Sequence, residues 1–171
     1  CDSPSIFQKP QYSANFGHSG YYEYTGTGIN AKMSEIHAAM GLCVLPHINN
    51  LVEERKRIIE RYKKKLSLEY LRLLRIREGT EWNYSYFPVI FESEITLMKC
   101  IEYLNSNDVF PRRYFYPSLN NVEYLSGQKM PISESIASRI LCLPLYSGLT
   151  EQQIDFISDK INFVLNKEDL S

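Results

Sequence analysis

The sequence predicts a small α/β domain, helices packed against a short sheet, preceded by an arm and a long kinked helix. Three observations carry this expectation. Apolar residues recur at helical spacing from Ser34 to about Leu66. The segment 84–91 is apolar on both faces and rich in aromatic and β-branched residues, as an interior strand requires. Beyond it, strand-like and helix-like patterns alternate to the end of the chain, with no internal repeat.

Residues 1–33 hold Pro4, Pro10, Gly17, Gly20, Gly26 and Gly28 among Tyr21, Tyr22 and Tyr24. They show no sustained period and are expected to form an arm or loop region, leaving residues 34–171 for the α/β domain. Ser34 is a helix N-cap candidate, after which Ile36, Ala39, Met40, Cys43 and Val44 form one apolar face. Pro46 is expected to kink or break the helix. The period resumes at Ile48, Leu51, Val52, Ile59, Tyr62 and Leu66, with EERKR and RYKKK as the solvated face. After the strand at 84–91, a helix is expected over 94–105 with Ile95, Met98, Ile101 and Leu104 in register. A short strand over 109–115, a loop over 116–130, a short helix from Ser133 through Ile140 and a strand over 142–146 follow. Thr150 with Gln153 has the form of a capping box, and Ile154, Ile157, Ile161 and Val164 give the last helix one buried stripe. Strand directions stay open.

At 171 residues and 44% hydrophobic, the chain can bury a core as one compact domain or as a small domain with an arm. Its 19 basic and 20 acidic side chains create no global field for nucleic acid or an anionic membrane, so an anionic ligand must be held by local groups. Cys1, Cys43, Cys100 and Cys142 form no CxxC pair, so zinc or redox spacing is absent, and buried free thiols in a reducing cytosol are expected. No apolar run approaches the ~20 residues of a membrane span, and no signal-peptide pattern opens the chain, which points to a soluble cytoplasmic protein. Cys1 stands where an initiating methionine would, and the chain is expected to be cut from something longer.

The stretch GINAKMSEIHAAMG at 28–41 places a glycine, an amide and a basic side chain directly before a helix start. Backbone amides there favour an anion, Asn30 can donate through its side chain, and Lys32 adds a point charge. Gly28 and Asn30 are equally good turn residues, and Ser34 can be a simple cap. His37 and His47 read as structural, with no metal spacing around any histidine. His18 and Tyr22 lie in the Gly and Tyr arm, where loop side chains meet ligands. In RRYFYPSLN at 112–120, Arg113, Tyr114 and Tyr116 set a guanidinium among aromatic rings, which suits a nucleotide diphosphate or a sugar, or ordinary packing at a strand end. Tyr146, Ser147 and Gly148 by themselves are a turn.

GTGINAKMSEIHAAMGL resembles the signature that opens the long helix of DegT-type aminotransferases, fold-type I enzymes that make amino sugars. NFGHSG, VEERKRIIERYKKKL, YFPVIF, RRYFYPSLN and LPLYSGLTEQQIDFI stand in the order and spacing of that family, from Asn15 to nearly the end. The resemblance implies the small C-terminal domain of a pyridoxal-phosphate enzyme whose large domain carries the cofactor-binding lysine before the point where this chain begins. No catalytic lysine is therefore assigned here, and this chain alone is expected to be inactive. Asn30, with Lys32 where many relatives have arginine, is implied to contact the cofactor phosphate across a homodimer interface. His18, Tyr22, Arg113, Tyr114 and Tyr116 are implied on the substrate side. Phe115 stands where many relatives have histidine, so that contact is lost. The implied reaction moves an amino group, with glutamate as donor, to a ketone of a nucleotide-linked deoxy sugar, with a dTDP-linked one suggested by RRYFYPSLN. A non-catalytic α/β dimerisation or scaffold module derived from this family is the alternative.

Overall fold

The computed structural model describes residues 4–19, 23, 25–113, 116–122 and 127–168. The chain divides into two units, Cys1–Ile48 and Asn49–Ser171.

The first unit opens with a helix, α1 (Pro4–Ala14), where the sequence suggested no regular element. Proline fits the first turn of a helix because the N–H it lacks has no intrahelical partner there, and the internal Pro10 removes only one backbone bond. The chain then doubles back on itself. Phe16 N–H donates to Ile29 O at 3.1 Å, Ile29 N–H to Ser13 O at 2.8 Å and Ala31 N–H to Ala14 O at 2.9 Å, so the arm is a folded ribbon. Glycine is required at this crossing: a Cβ on Gly28 would lie 2.2 Å from the Gly17 nitrogen, and one on Gly17 would lie 2.0 Å from the Gly26 oxygen. Helix α2 (Glu35–Val44) follows, and Ser34 caps it as expected, its Oγ accepting from His37 N–H at 3.3 Å. The apolar face expected to be buried is not: α2 has no buried residue, and Ile36, Met40 and Val44 are exposed. A lone amphipathic helix cannot cover its own stripe, and among the described residues nothing buries it.

At Pro46 the helical run tightens instead of breaking. A 3-10 turn, Leu45–His47, carries it into α3 (Ile48–Lys65). In the second unit α3 buries Ile58, Ile59 and Tyr62 and is followed by β1 (Leu71–Leu73), β2 (Pro88–Phe91) and α4 (Glu94–Asn105). Helix α5 (Pro131–Arg139), β3 (Ile140–Cys142) and α6 (Glu151–Glu168) complete it. The three strands lie in sequence order and are antiparallel, with Leu71 opposite Phe91 and Val89 opposite Leu141. Phe87, Val89 and Phe91 point into a core with Ile59, Tyr62, Leu97, Leu104, Leu141 and Ile161.

Several expectations shift for local reasons. The strand expected from Tyr84 begins only at Pro88, because Tyr84 has φ 52°, a left-handed turn conformation outside the extended region. The strand expected at 109–115 reduces, among the described residues, to one bridge between Arg112 and Cys142, and the final strand, expected at 142–146, lies at 140–142, where it pairs with β2. In α4 the buried face is Leu97, Cys100 and Leu104, while Ile95 is 68% exposed. Ile95 and Leu104 are nine residues apart, and at about 100° per residue that spacing puts them on opposite sides of a helix. The capping box holds: Thr150 N–H donates to Gln153 Oε1 at 3.0 Å and Gln153 N–H to Thr150 Oγ1 at 3.3 Å. The stripe from Ile154 to Val164 is buried as its spacing requires. Of the cysteines, Cys100 and Cys142 are buried and free, and burial pushes the Cys100 thiol up to about 12, but Cys43 is exposed.

Candidate functional site

The folded arm brings three of the expected residues into one neighbourhood. Asn15 and Asn30 form an isolated antiparallel bridge, which places the two ribbon edges side by side. Two residues beyond Asn30, Lys32 Nζ donates to Asn15 Oδ1 at 3.3 Å and lies 4.8 Å from the centre of the Phe16 ring. The His18 ring meets Phe16 edge-on, with centroids 6.5 Å apart. Asn15, Phe16, His18 and Lys32 line an open cavity of about 750 Å³ together with Gln11 and Tyr12. Among the described residues Lys32 joins no ion pair, so its charge is not offset by a carboxylate. Asn30 is exposed. Tyr22 lies outside the described residues.

A second group sits in the other unit. Arg113 donates from Nη2 to the Glu94 carboxylate and, at 2.9 Å, to Ser138 O. Its guanidinium carbon lies 3.5 Å from the centre of the Tyr116 ring, in stacking range. Arg113 thus spends part of its donor fork on internal partners, while half of Tyr116 stays open to solvent. Tyr114 lies outside the described residues.

The turn at Tyr146–Gly148 is more firmly anchored than its sequence suggests. Glu54 of α3 accepts from the Ser147 hydroxyl and from Gly148 N–H at 3.0 Å. The Ser147 and Gly148 bonds hold its carboxyl below the ordinary range. Tyr62, whose phenol burial pushes upward in pKa, donates to Pro144 O at 3.1 Å in the same loop. Asn15, Phe16 and Glu54 were not singled out from the sequence. The usable signal for the first two was the run NFG, an Asx and an aromatic before glycine, within the NFGHSG motif that carries the family resemblance. Glu54 had none, because its partners are more than 90 residues away.

Among the described residues no group of His, Cys, Asp or Glu gathers to hold a metal ion. No described helix is long and apolar enough to cross a membrane.

Residues 2–162 match the DegT/DnrJ/EryC1/StrS aminotransferase family. The chain is 35% identical over 147 residues to a dTDP-4-amino-4,6-dideoxy-D-glucose transaminase of Escherichia coli, covering 81% of this chain and 40% of that protein. Its structure is similar to that of DesI, crystallised in the presence of its TDP-sugar product, with a TM-score of 0.81 and 26% identity over 94% of this chain and 43% of that one. The fold also matches the PLP form of Spr1654 from Streptococcus pneumoniae, with a TM-score of 0.83 and 21% identity over 98% of this chain and 45% of that one. The chain therefore spans less than half the length of the proteins it matches.

Proposed function

The chain belongs to the DegT/DnrJ/EryC1/StrS aminotransferase family, and from that premise we propose that it is the C-terminal part of a pyridoxal-phosphate-dependent sugar aminotransferase. The enzyme moves an amino group from glutamate to the ketone of a dTDP-linked deoxy sugar, acts as a homodimer and works in the cytoplasm. The observation that carries this reading is the 35% identity to the Escherichia coli transaminase across 81% of the chain.

The arm fits the cofactor's phosphate on its own chemistry. It offers an exposed amide at Asn30 and an ammonium at Lys32 whose neighbours are an amide oxygen and a ring, so both donors are available to an anion. Bound pyridoxal phosphate supplies the electron sink for exchanging an amino group between an amino acid and a ketone. This chain's residues bind and orient. Asn30 and Lys32 would hold the phosphate, Asn30 from the neighbouring subunit, and His18 and Tyr22 are the proposed substrate contacts of the arm. Arg113, Tyr114 and Tyr116 are the proposed contacts to the sugar nucleotide, Tyr116 through its open aromatic surface.

The test is direct. The protein expressed from its complete gene, loaded with pyridoxal phosphate, is given glutamate and a dTDP-linked 4-keto-6-deoxyhexose. The expected product, seen by mass spectrometry, carries an amine in place of the ketone oxygen. A protein that binds the cofactor yet aminates no nucleotide-linked keto sugar would sink the proposal and favour the non-catalytic module.

A further inference from the structure

The turn from Asn15 to His18 contains a conformation that its side chain does not favour. Phe16 has φ 58°, in the left-handed region where a bulky residue is strained and glycine or asparagine is at ease. Core packing does not offset this, since Phe16 remains 46% exposed. What the ring does meet is polar: the Lys32 ammonium 4.8 Å from its centre and the edge of His18. On the other side Lys32 is held by Asn15 Oδ1. A lysine side chain left to itself samples many rotamers, and immobilising it on binding costs entropy. Both of its partners here are uncharged, so they fix the ammonium without cancelling its charge.

We infer that Phe16 is a positioning residue, held in a strained backbone conformation so that its ring, with the Asn15 amide, keeps the Lys32 ammonium in place at the cavity they line. An anionic group entering the cavity then meets a charge already placed. The inference rests on the reading that Lys32 serves the cofactor phosphate, and it names the residue that prepares Lys32 for that task.

The experiment compares pyridoxal phosphate with pyridoxal, which lacks the phosphate. Protein from the complete gene is stripped of cofactor and titrated with each, binding being followed by absorbance. Phe16→Asn removes the ring but suits the left-handed φ, so its melting temperature should match or exceed that of the wild type. It should nonetheless bind pyridoxal phosphate about two- to fivefold more weakly, the size of one exposed cation–π contact. Pyridoxal binding should not change, and Phe16→Tyr should restore the phosphate preference. In a Lys32→Ala background Phe16→Asn should add no further loss.

Equal weakening for both ligands, or a fall in melting temperature, would show a merely structural ring and overturn the inference. So would full phosphate preference in Phe16→Asn when Lys32→Ala has lost it, an outcome that leaves the reading of Lys32 standing. If Lys32→Ala keeps the preference, the reading of Lys32 fails and the inference fails with it.

Discussion

Arg61 and Asp155 meet in a two-point fork, Nε to Oδ1 at 2.7 Å and Nη2 to Oδ2 at 2.8 Å, and Lys65 approaches the same carboxylate at 3.0 Å. The Arg61 hydrogen bonds, then that of Lys65, hold the Asp155 carboxyl at about 2, below its ordinary 3.8. A folded-state value below the unfolded one means the stabilisation is present above the unfolded value and is lost as the pH falls through the folded one. Asp155→Asn should therefore lower the melting temperature at pH 7, and the gap to the wild type should close as the pH approaches 2. Melting curves across that range check it, and a gap independent of pH would show that the carboxylate charge is not what matters. At the same scale, the site was partly legible in the sequence. Asn30 and Lys32 could be singled out because an amide and a cation before a helix start form a local pattern. The role of Phe16 was not legible, because it depends on a backbone dihedral and on a lysine sixteen positions later.

Secondary elements were read best where their determinants are local. The caps at Ser34 and Thr150 each need only a side chain and an N–H three residues on, and both are formed. Strand β1 went unread because three residues are too few to show alternation, and its identity comes from Phe91 and Val89 across the sheet. The case of α4 is sharper, since apolar residues on two sides of the helix mixed core positions, Ile101 and Leu104, with exposed ones, Ile95 and Met98, in the expected register. Truncation separates the faces. Leu97→Ala, at a fully buried site, should cost about 2–5 kcal/mol of unfolding free energy. Ile95→Ala, at an exposed one, should stay within about 0.5 kcal/mol. Chemical denaturation measures both, and comparable losses would mean that the Ile95 side is covered in the whole protein.

At the scale of the whole molecule, the open apolar side of α2 and the exposed Asn30 are consistent with the proposed homodimer in which each arm serves the other subunit. Asn30→Ala should then weaken cofactor binding by about 1 to 3 kcal/mol, as expected for a lost hydrogen bond to a charged group. Mixed with a variant lacking the cofactor-binding lysine, it should regain activity, because one site in each mixed dimer has both groups intact. Mixed dimers shown to form but remaining inactive would exclude the shared site. The same helix face carries Cys43, exposed, while Cys100 and Cys142 are buried and have their thiols pushed upward by burial. An alkylating reagent at neutral pH should therefore distinguish Cys43 from these two without any engineering. If the α2 face closes on assembly, the labelling rate at Cys43 becomes a clock for subunit association, slow in the dimer and fast in the free chain, readable from the mass of the peptide that carries Cys43.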